Sequence, residues 1–207
     1  MNKKTPALSL SPTSGTLIYG TAGTSTITYD GDGTLSCSTS DNTVATCSIS
    51  GKTLTITPVA NTADGKTATI TVNAAAGTNH AAASATYSAT VNRKTLTCPS
   101  SPAAQTYTGS ELTTTVSCPS GSSLGGTTKG TNVESYSASC TASSGYKFAS
   151  TCSVSWSIGA SNTTTSLSEI TKTYNGSSQA ASGATSKLSS NNSAISGGSY
   201  SYKYYSN

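Results

Sequence analysis

Six cysteines are the residues of this chain most able to do covalent chemistry. No Cys-x-x-Cys pair occurs, and the single histidine, His80, is far from every thiol in sequence, so neither a zinc site nor a redox-active thiol pair is expected. An even number of cysteines, spaced by about 10, 20 and 12 residues within successive pairs, predicts disulfides instead. Disulfides in turn indicate an oxidising location such as a cell surface or a virion.

The segment 136–156 suggests one of these pairings. If it folds as a hairpin with Cys140 opposite Cys152, then Tyr136 faces Trp156 and all four side chains share one face of the sheet. We therefore expect a Cys140–Cys152 bridge, provided that the separation of the two Cβ atoms suits a cystine.

The other four cysteines are assigned less directly, because the count alone leaves several connectivities open. Cys37 and Cys47 occupy inward-facing positions in two adjacent strand-like runs and are expected to pair. Cys98 and Cys118 then pair by elimination. Each bridge is expected to contribute about 2–4 kcal/mol by restricting the unfolded chain.

Acid–base groups are scarce, since Asp and Glu together number 7 and there is one His. The only close pair, Asp30 and Asp32, shares a Gly-rich segment that could form half of a calcium loop, but no bidentate Glu follows it. A hairpin turn is the better interpretation, and His80 is interpreted as a loop or strand-end residue. We therefore expect no catalytic residue, no metal site and no cofactor.

Aromatic side chains are the remaining candidates for ligand contact. Trp156 alternates with Val154 and Ile158 and is expected in the core. Tyr146 and Phe148 are expected in the loop between the two paired strands, where exposed rings could contact a sugar. A dense cluster of tyrosines, Tyr200, Tyr202, Tyr204 and Tyr205, occurs near the end of the sequence.

Composition explains why such a chain can fold at all. By direct count 80 of its 207 residues are Ser or Thr, its net charge is only +4, and no window approaches the length of apolar sequence that spans a membrane. Low charge with abundant Thr and Tyr favours many short strands over a solvated coil. The basic residues are scattered, so no nucleic-acid surface is expected.

A strict alternation of apolar and polar residues indicates β-strands along much of the sequence. Apolar side chains recur at every second position in seven runs separated by Gly-rich turns, and no segment has the period of a helix. The predicted fold is therefore all-β, in Ig-like sandwiches with little or no helix. The predicted inward positions are Leu8, Leu10, Ile27, Tyr29, Leu35, Cys37, Ala45, Cys47, Ile49, Leu54, Ile56, Ala68, Ile70, Val72, Ala85, Tyr87, Ala89 and Val91.

A weaker pattern repeats at the scale of a domain. Tyr19, Tyr107 and Tyr174 each follow a short strand-like segment and lie about 88 and 67 residues apart, close to the size of one sandwich. The pair Arg93-Lys94 is interpreted as a linker. Three domains are predicted: an Ig-like domain at 5–92, a second with two disulfides at 93–160, and a partial third at 161–207, too short for a closed sandwich.

The first region also carries a family resemblance. The sequence LSCSTSDNTVATCSISGKTLTI from Leu35 to Ile56, followed by GKTATITV at 65–72, resembles the bacterial Ig-like (group 2) domain. Cys37 and Cys47 stand where that family more often has apolar residues, which implies a cystine in place of an apolar pair. The regions 107–158 and 172–179 resemble repeat domains of large bacterial surface proteins.

This resemblance implies a fold and a setting, not a ligand. We expect a non-catalytic stalk or adhesion segment of a bacterial surface protein, extracellular, with neighbouring repeats and a host glycan or protein as partners and no insertion into the membrane. The chain is expected to be a piece of something longer. Two alternatives stay open, a phage virion decoration or fibre protein and a carbohydrate-binding module.

Overall fold

The computed structural model describes residues 2–167 and 184–194, and every regular element in these residues is a β-strand. The chain is all-β and Ig-like, as predicted. The predicted repeat opening at 172–179 and the tyrosine cluster at 200–205 lie outside the described residues.

The chain divides by its contacts into two compact units. The first comprises residues 2–99, 118–124 and 140–152, and the second comprises 100–117, 125–139 and the described residues from 153 onward.

Eight strands of the first unit form a sandwich of two sheets. They are β1 (Leu8–Ser11), β2 (Ser14–Ile18), β3 (Gly23–Tyr29), β4 (Leu35–Thr39), β5 (Ala45–Ser50), β6 (Thr53–Pro58), β7 (Lys66–Ala74) and β8 (Ala83–Asn92). One sheet has the order β1-β3-β6-β5 and the other β2-β8-β7-β4. Neighbours are antiparallel, apart from the parallel pair β2 and β8. If β1 and β2 are taken as two halves of one split first strand, this is the two-sheet arrangement of an Ig-like sandwich.

The core lies between these two sheets and confirms the predicted alternation. Ile27, Leu54, Ile56 and Ile70 are fully buried at its centre. All the predicted inward residues either belong to this core or pack against it from a half-buried position. Because a strand has a period of two, the same alternation leaves Ser and Thr on the solvent side.

The solvent face of the β1-β3-β6-β5 sheet has no charged side chain. Thr26 is paired with Ser11 on one side and Thr53 on the other, so that hydroxyls continue from strand to strand across the sheet. The outward positions are Ser9, Ser11, Thr24, Thr26, Thr28, Thr46, Ser48, Ser50, Thr53, Thr55 and Thr57.

Two of the predicted turns have different outcomes. The turn at Gly51 joins β5 to β6 in an antiparallel hairpin, as expected, with Ser50 opposite Thr53. The segment from Asp30 to Gly33 is not a hairpin turn, because β3 and β4 belong to different sheets. It is a connection between sheets, which local turn residues do not distinguish from a hairpin.

Ten further strands complete the described chain. They are β9 (Lys94–Leu96), β10 (Gln105–Thr106), β11 (Leu112–Thr113), β12 (Ser122–Gly126), β13 (Lys129–Gly130), β14 (Ser135–Ala142), β15 (Tyr146–Phe148), β16 (Cys152–Gly159), β17 (Thr163–Leu167) and β18 (Ala184–Leu188). Four of them form a sheet of order β10-β16-β14-β12, and the others pair as β9 with β15, β11 with β13, and β17 with β18.

Trp156 lies inward on β16, as the alternation predicted, with Val154 and Ile158 also buried. Its indole N–H donates a 2.7 Å hydrogen bond to the carbonyl of Thr127, which satisfies the one polar atom of the ring. The ring of Tyr136 stacks on it with centroids 4.5 Å apart. The predicted proximity of Tyr136 and Trp156 is therefore confirmed.

All six cysteines form disulfides. Cys37 on β4 is bonded to Cys47 on β5, as predicted. Since β4 and β5 are edge strands of opposite sheets, this bridge ties the two sheets together along one side of the sandwich.

The other two pairings differ from the prediction. Cys98 is bonded to Cys152 and Cys118 to Cys140, so the expected bridges Cys140–Cys152 and Cys98–Cys118 are wrong. Directly opposed residues of neighbouring strands project side by side with Cβ atoms about 4.5–5.5 Å apart, wider than the roughly 3.8 Å of a cystine. Cys98 and Cys118 lie in irregular segments, which are free to approach a strand residue from outside its sheet.

Candidate functional site

The two aromatic residues proposed as ligand contacts, Tyr146 and Phe148, do not lie in a loop. They form the ends of β15, which pairs in parallel with β9 so that Tyr146 is beside Lys94 and Phe148 beside Leu96. Both side chains are half-buried. The pattern missed this strand because three residues are too few to display alternation.

Tyr146 is held by contacts on two sides. Its ring meets Tyr19 edge to face, with centroids 5.3 Å apart and planes at 88°. On another side it lies against Gly121, where a Cβ atom would collide with the ring. Gly145 is buried beside the ring of Tyr19 with φ +84°, a conformation that favours glycine. Tyr146 therefore packs against protein, and the proposal that it contacts a sugar stays a prediction.

A charged cluster adjoins this aromatic contact. The Asp64 carboxylate lies 2.8 Å from the ammonium of Lys147 and 3.3 Å from the guanidinium of Arg93. It also accepts a 2.8 Å hydrogen bond from the backbone N–H of Arg93. We call Asp64, Arg93 and Lys147 the Asp64 clamp, because one carboxylate joins residues that are 29 and 83 positions away in sequence.

Backbone contacts reinforce the clamp. The N–H of Gly145 donates to the carbonyl of Asn61, and the N–H of Lys94 donates to the carbonyl of Gly145, at 2.9 and 2.8 Å. Arg93 and Lys94, interpreted from sequence as a linker, are therefore fixed, the first by Asp64 and the second by β15.

The electrostatics of the clamp favour an ionic contact over covalent chemistry. Lys147 first, and then the side chain and backbone N–H of Arg93, hold the pKa of Asp64 far below its ordinary value. Asp64 is therefore ionised at neutral pH and pairs with both cations. The arrangement can cross-link chain segments electrostatically.

Asp30 and Asp32 use their carboxylates to organise loops. The Asp30 carboxylate accepts a 2.6 Å hydrogen bond from the N–H of Ala7, which lowers the pKa of Asp30. Asp32 accepts one of 2.9 Å from Asn79, the main cause of its lowered pKa, and lies 3.1 Å from the ring nitrogen Nδ1 of His80. The two carboxylates thus bind backbone N–H groups of different segments.

Within the described residues no group of three His, Cys, Asp or Glu side chains is placed to hold a metal ion. The same residues include no helix of the length and hydropathy needed to cross a bilayer.

Sequence reasoning missed the Asp64 clamp. The repeat pattern marks Tyr19, but no motif in the sequence singles out Asp64 or Lys147. The only sequence feature that sets Asp64 apart is that it is an isolated acidic residue in a chain with few acidic residues. Nothing local indicates that its partner is Lys147, since the contact depends on how distant segments fold.

Comparisons with known proteins assign no family to this chain. No family profile and no curated protein matches this chain. Among solved structures, a three-domain Ig segment of titin in a Glu-to-Ala variant overlaps 76% of this chain and 66% of its own, with 9% identity and a TM-score of 0.29. A tandem pair of titin Ig domains overlaps 77% of this chain and 98% of its own, with 12% identity and a TM-score of 0.29. The Ig-like assignment rests on the strand order and register described above.

Proposed function

We propose that this chain is a non-catalytic, load-bearing spacer segment of a bacterial surface protein. The observation that carries the proposal is the parallel pairing of β2 with β8, the second strand and the last strand of the first sandwich. Five residue pairs form this ladder, from Ser14 beside Ser88 to Ile18 beside Asn92.

Parallel pairing determines how this ladder meets tension along the chain. Once β1 has separated from β3, tension enters β2 at Ser14 and leaves β8 at Asn92, which are opposite ends of the ladder. The two strands are then pulled past each other, and all their hydrogen bonds are loaded together. Tension on two adjacent strand ends would break the same bonds one at a time, at lower force.

The cross-links suit the same role. Cys37–Cys47 joins the edge strands β4 and β5, and Cys98–Cys152 closes a loop of 54 residues that cannot extend while the bond persists. Three disulfides are typical of proteins that work in oxidising compartments. The hydroxyl-covered outer faces keep the sandwich hydrated without attracting charged partners.

The acidic residues support a role without catalysis. The carboxylates of Asp30, Asp32 and Asp64 each bind backbone N–H groups or cations, and Asp41 accepts from the N–H and hydroxyl of Thr43. A general acid or base must be free to exchange its proton with a substrate. These four groups are engaged in structure.

The bacterial surface is inferred from the resemblance of residues 35–72 to bacterial group 2 Ig-like domains and from the disulfides. An antibody raised against residues 2–167 tests it on intact cells of the source organism. We expect labelling without permeabilisation, and loss of labelling after brief external proteolysis. Labelling only after permeabilisation, or only of virus particles, would overturn the surface assignment.

A further inference from the structure

The first unit contains a groove that the spacer role does not use. It has a volume of about 640 Å³ and is lined by Thr16, Leu17, Ile18, Thr21, Ala22, Arg93, Lys94 and Thr95. Ligand sites commonly enclose about 300–1,000 Å³ and combine apolar walls with a few polar groups. This groove has the same combination.

One wall of the groove interrupts the hydroxyl pattern of its strand. The outward positions of β2 are Ser14, Thr16 and Ile18, and Ile18 is 50% exposed. An apolar side chain therefore stands where the alternation otherwise puts Ser or Thr, and it stands at the groove. It offers a surface for the apolar face of a ligand.

The charge beside the groove is positive and incompletely neutralised. Asp64 is shared between Arg93 and Lys147, so one carboxylate faces two cations. Lys94 is exposed and has no ion-pair partner among the described residues. Of the two cations that line the groove, Arg93 is paired with Asp64 and Lys94 is not, so an anionic group would be attracted to Lys94.

Unused hydroxyls complete the groove. The side chains of Thr16, Thr21 and Thr95 are exposed and make no hydrogen bond within the part of the chain that the structure describes. Each can both donate and accept, which suits the hydroxyls of a sugar.

We propose that this groove binds an acidic sugar, with its carboxylate on Lys94, its hydroxyls on the threonines and its apolar face on Ile18. The surplus positive charge favours an acidic sugar over a neutral one. The three hydroxyls favour a sugar over a peptide carboxylate. The proposal is independent of the spacer role, because it does not involve the β2–β8 hydrogen bonds.

The experiment titrates isotope-labelled protein with galacturonic acid, its methyl ester and galactose, and follows the amide resonances. We expect saturable shifts at Ile18, Thr21, Lys94 and Thr95 with galacturonic acid. The methyl ester and galactose should bind about tenfold more weakly, because they lack the charge-assisted hydrogen bond. A short peptide with a free carboxyl terminus tests the other source of a carboxylate.

Variants separate this site from non-specific attraction. Lys94→Gln should weaken galacturonic acid about tenfold and leave galactose unchanged. Lys52→Gln is the matched control, since Lys52 is exposed in the β5–β6 turn and is not among the groove residues. Absence of saturable shifts in the wild-type protein, equal binding of galactose, equal binding of the peptide, or equal loss in both variants would each overturn the proposal.

Discussion

The Asp64 carboxylate accepts more hydrogen bonds than any other carboxylate in the described chain. Its carboxylate binds Lys147, Arg93 and a backbone N–H, and in this way joins three segments that are distant in sequence. The groups are about one-third exposed, so salt and water screen the contact and its contribution depends on the solution. That dependence makes it testable by pH.

The first prediction concerns Asp64→Asn. The folded-state pKa of Asp64 lies below that of the unfolded chain, so its stabilisation is present above about pH 4 and is lost as pH falls through the folded value. The variant should melt at a lower temperature than wild type at neutral pH, and the difference should shrink as the solution is acidified below about pH 4.

Thermal melts across this pH range measure the difference, and Glu111→Gln is the control. Glu111 also pairs with a lysine, Lys129 at 3.1 Å, but both side chains are more than half exposed. Its loss should have little effect at any pH. A gap between Asp64→Asn and wild type that is unchanged in acid would contradict the assignment of Asp64 as an ionic clamp.

At the scale of elements, the strands are easier to derive than their cross-links. The period-two pattern predicted the buried face of all seven runs, because burial of alternate side chains is a local property of a strand. The disulfide partners of Cys140 and Cys152 depend on where the irregular segments around Cys98 and Cys118 pass. No local pattern carries that information, and β15 is similarly defined by its partner β9 more than by its own three residues.

Peptide mapping tests the observed disulfides directly. Trypsin cleaves after Lys94, Lys129 and Lys147, which puts Cys98 and Cys118 in one peptide, 95–129, and Cys140 and Cys152 in two others. Without reduction we expect peptide 95–129 to be linked to both of the others. Cleavage at Glu111 should then separate Cys98 with Cys152 from Cys118 with Cys140. A direct link between the peptides that contain Cys140 and Cys152 would contradict this connectivity.

The lengths of the loops that the disulfides close predict which disulfide contributes more to the free energy of unfolding. Replacing Cys37 and Cys47 together by Ala removes a link across 10 residues and should lower the free energy of unfolding by about 2–3 kcal/mol. Replacing Cys98 and Cys152 removes a link across 54 residues and should cost about 4 kcal/mol. Urea titrations of the two variants provide the comparison, and the reverse order would argue against an effect exerted through the unfolded chain.

At the scale of the whole molecule, the described chain combines uncharged hydroxyl faces, three disulfides and a parallel ladder between strands near the two ends of a sandwich. In the proposed spacer, the ladder would resist extension, the hydroxyl faces would keep the surface hydrated, and the disulfides would hold the loops closed. The fold class was accessible from alternation, and the proposed spacer role came from the family resemblance. The Asp64 clamp and the groove proposed to bind an acidic sugar required contacts between distant segments.

The central claim is that β2 and β8 bear load in shear, and the direction of pulling tests it most directly. Single molecules are held through unnatural residues with reactive side chains, either at Ser14 and Asn92, opposite ends of the ladder, or at Ile18 and Asn92, which are adjacent at one end. The native disulfides stay intact in both arrangements. We expect the first to require a several-fold higher force to rupture the ladder. Equal rupture forces in the two directions would contradict the account.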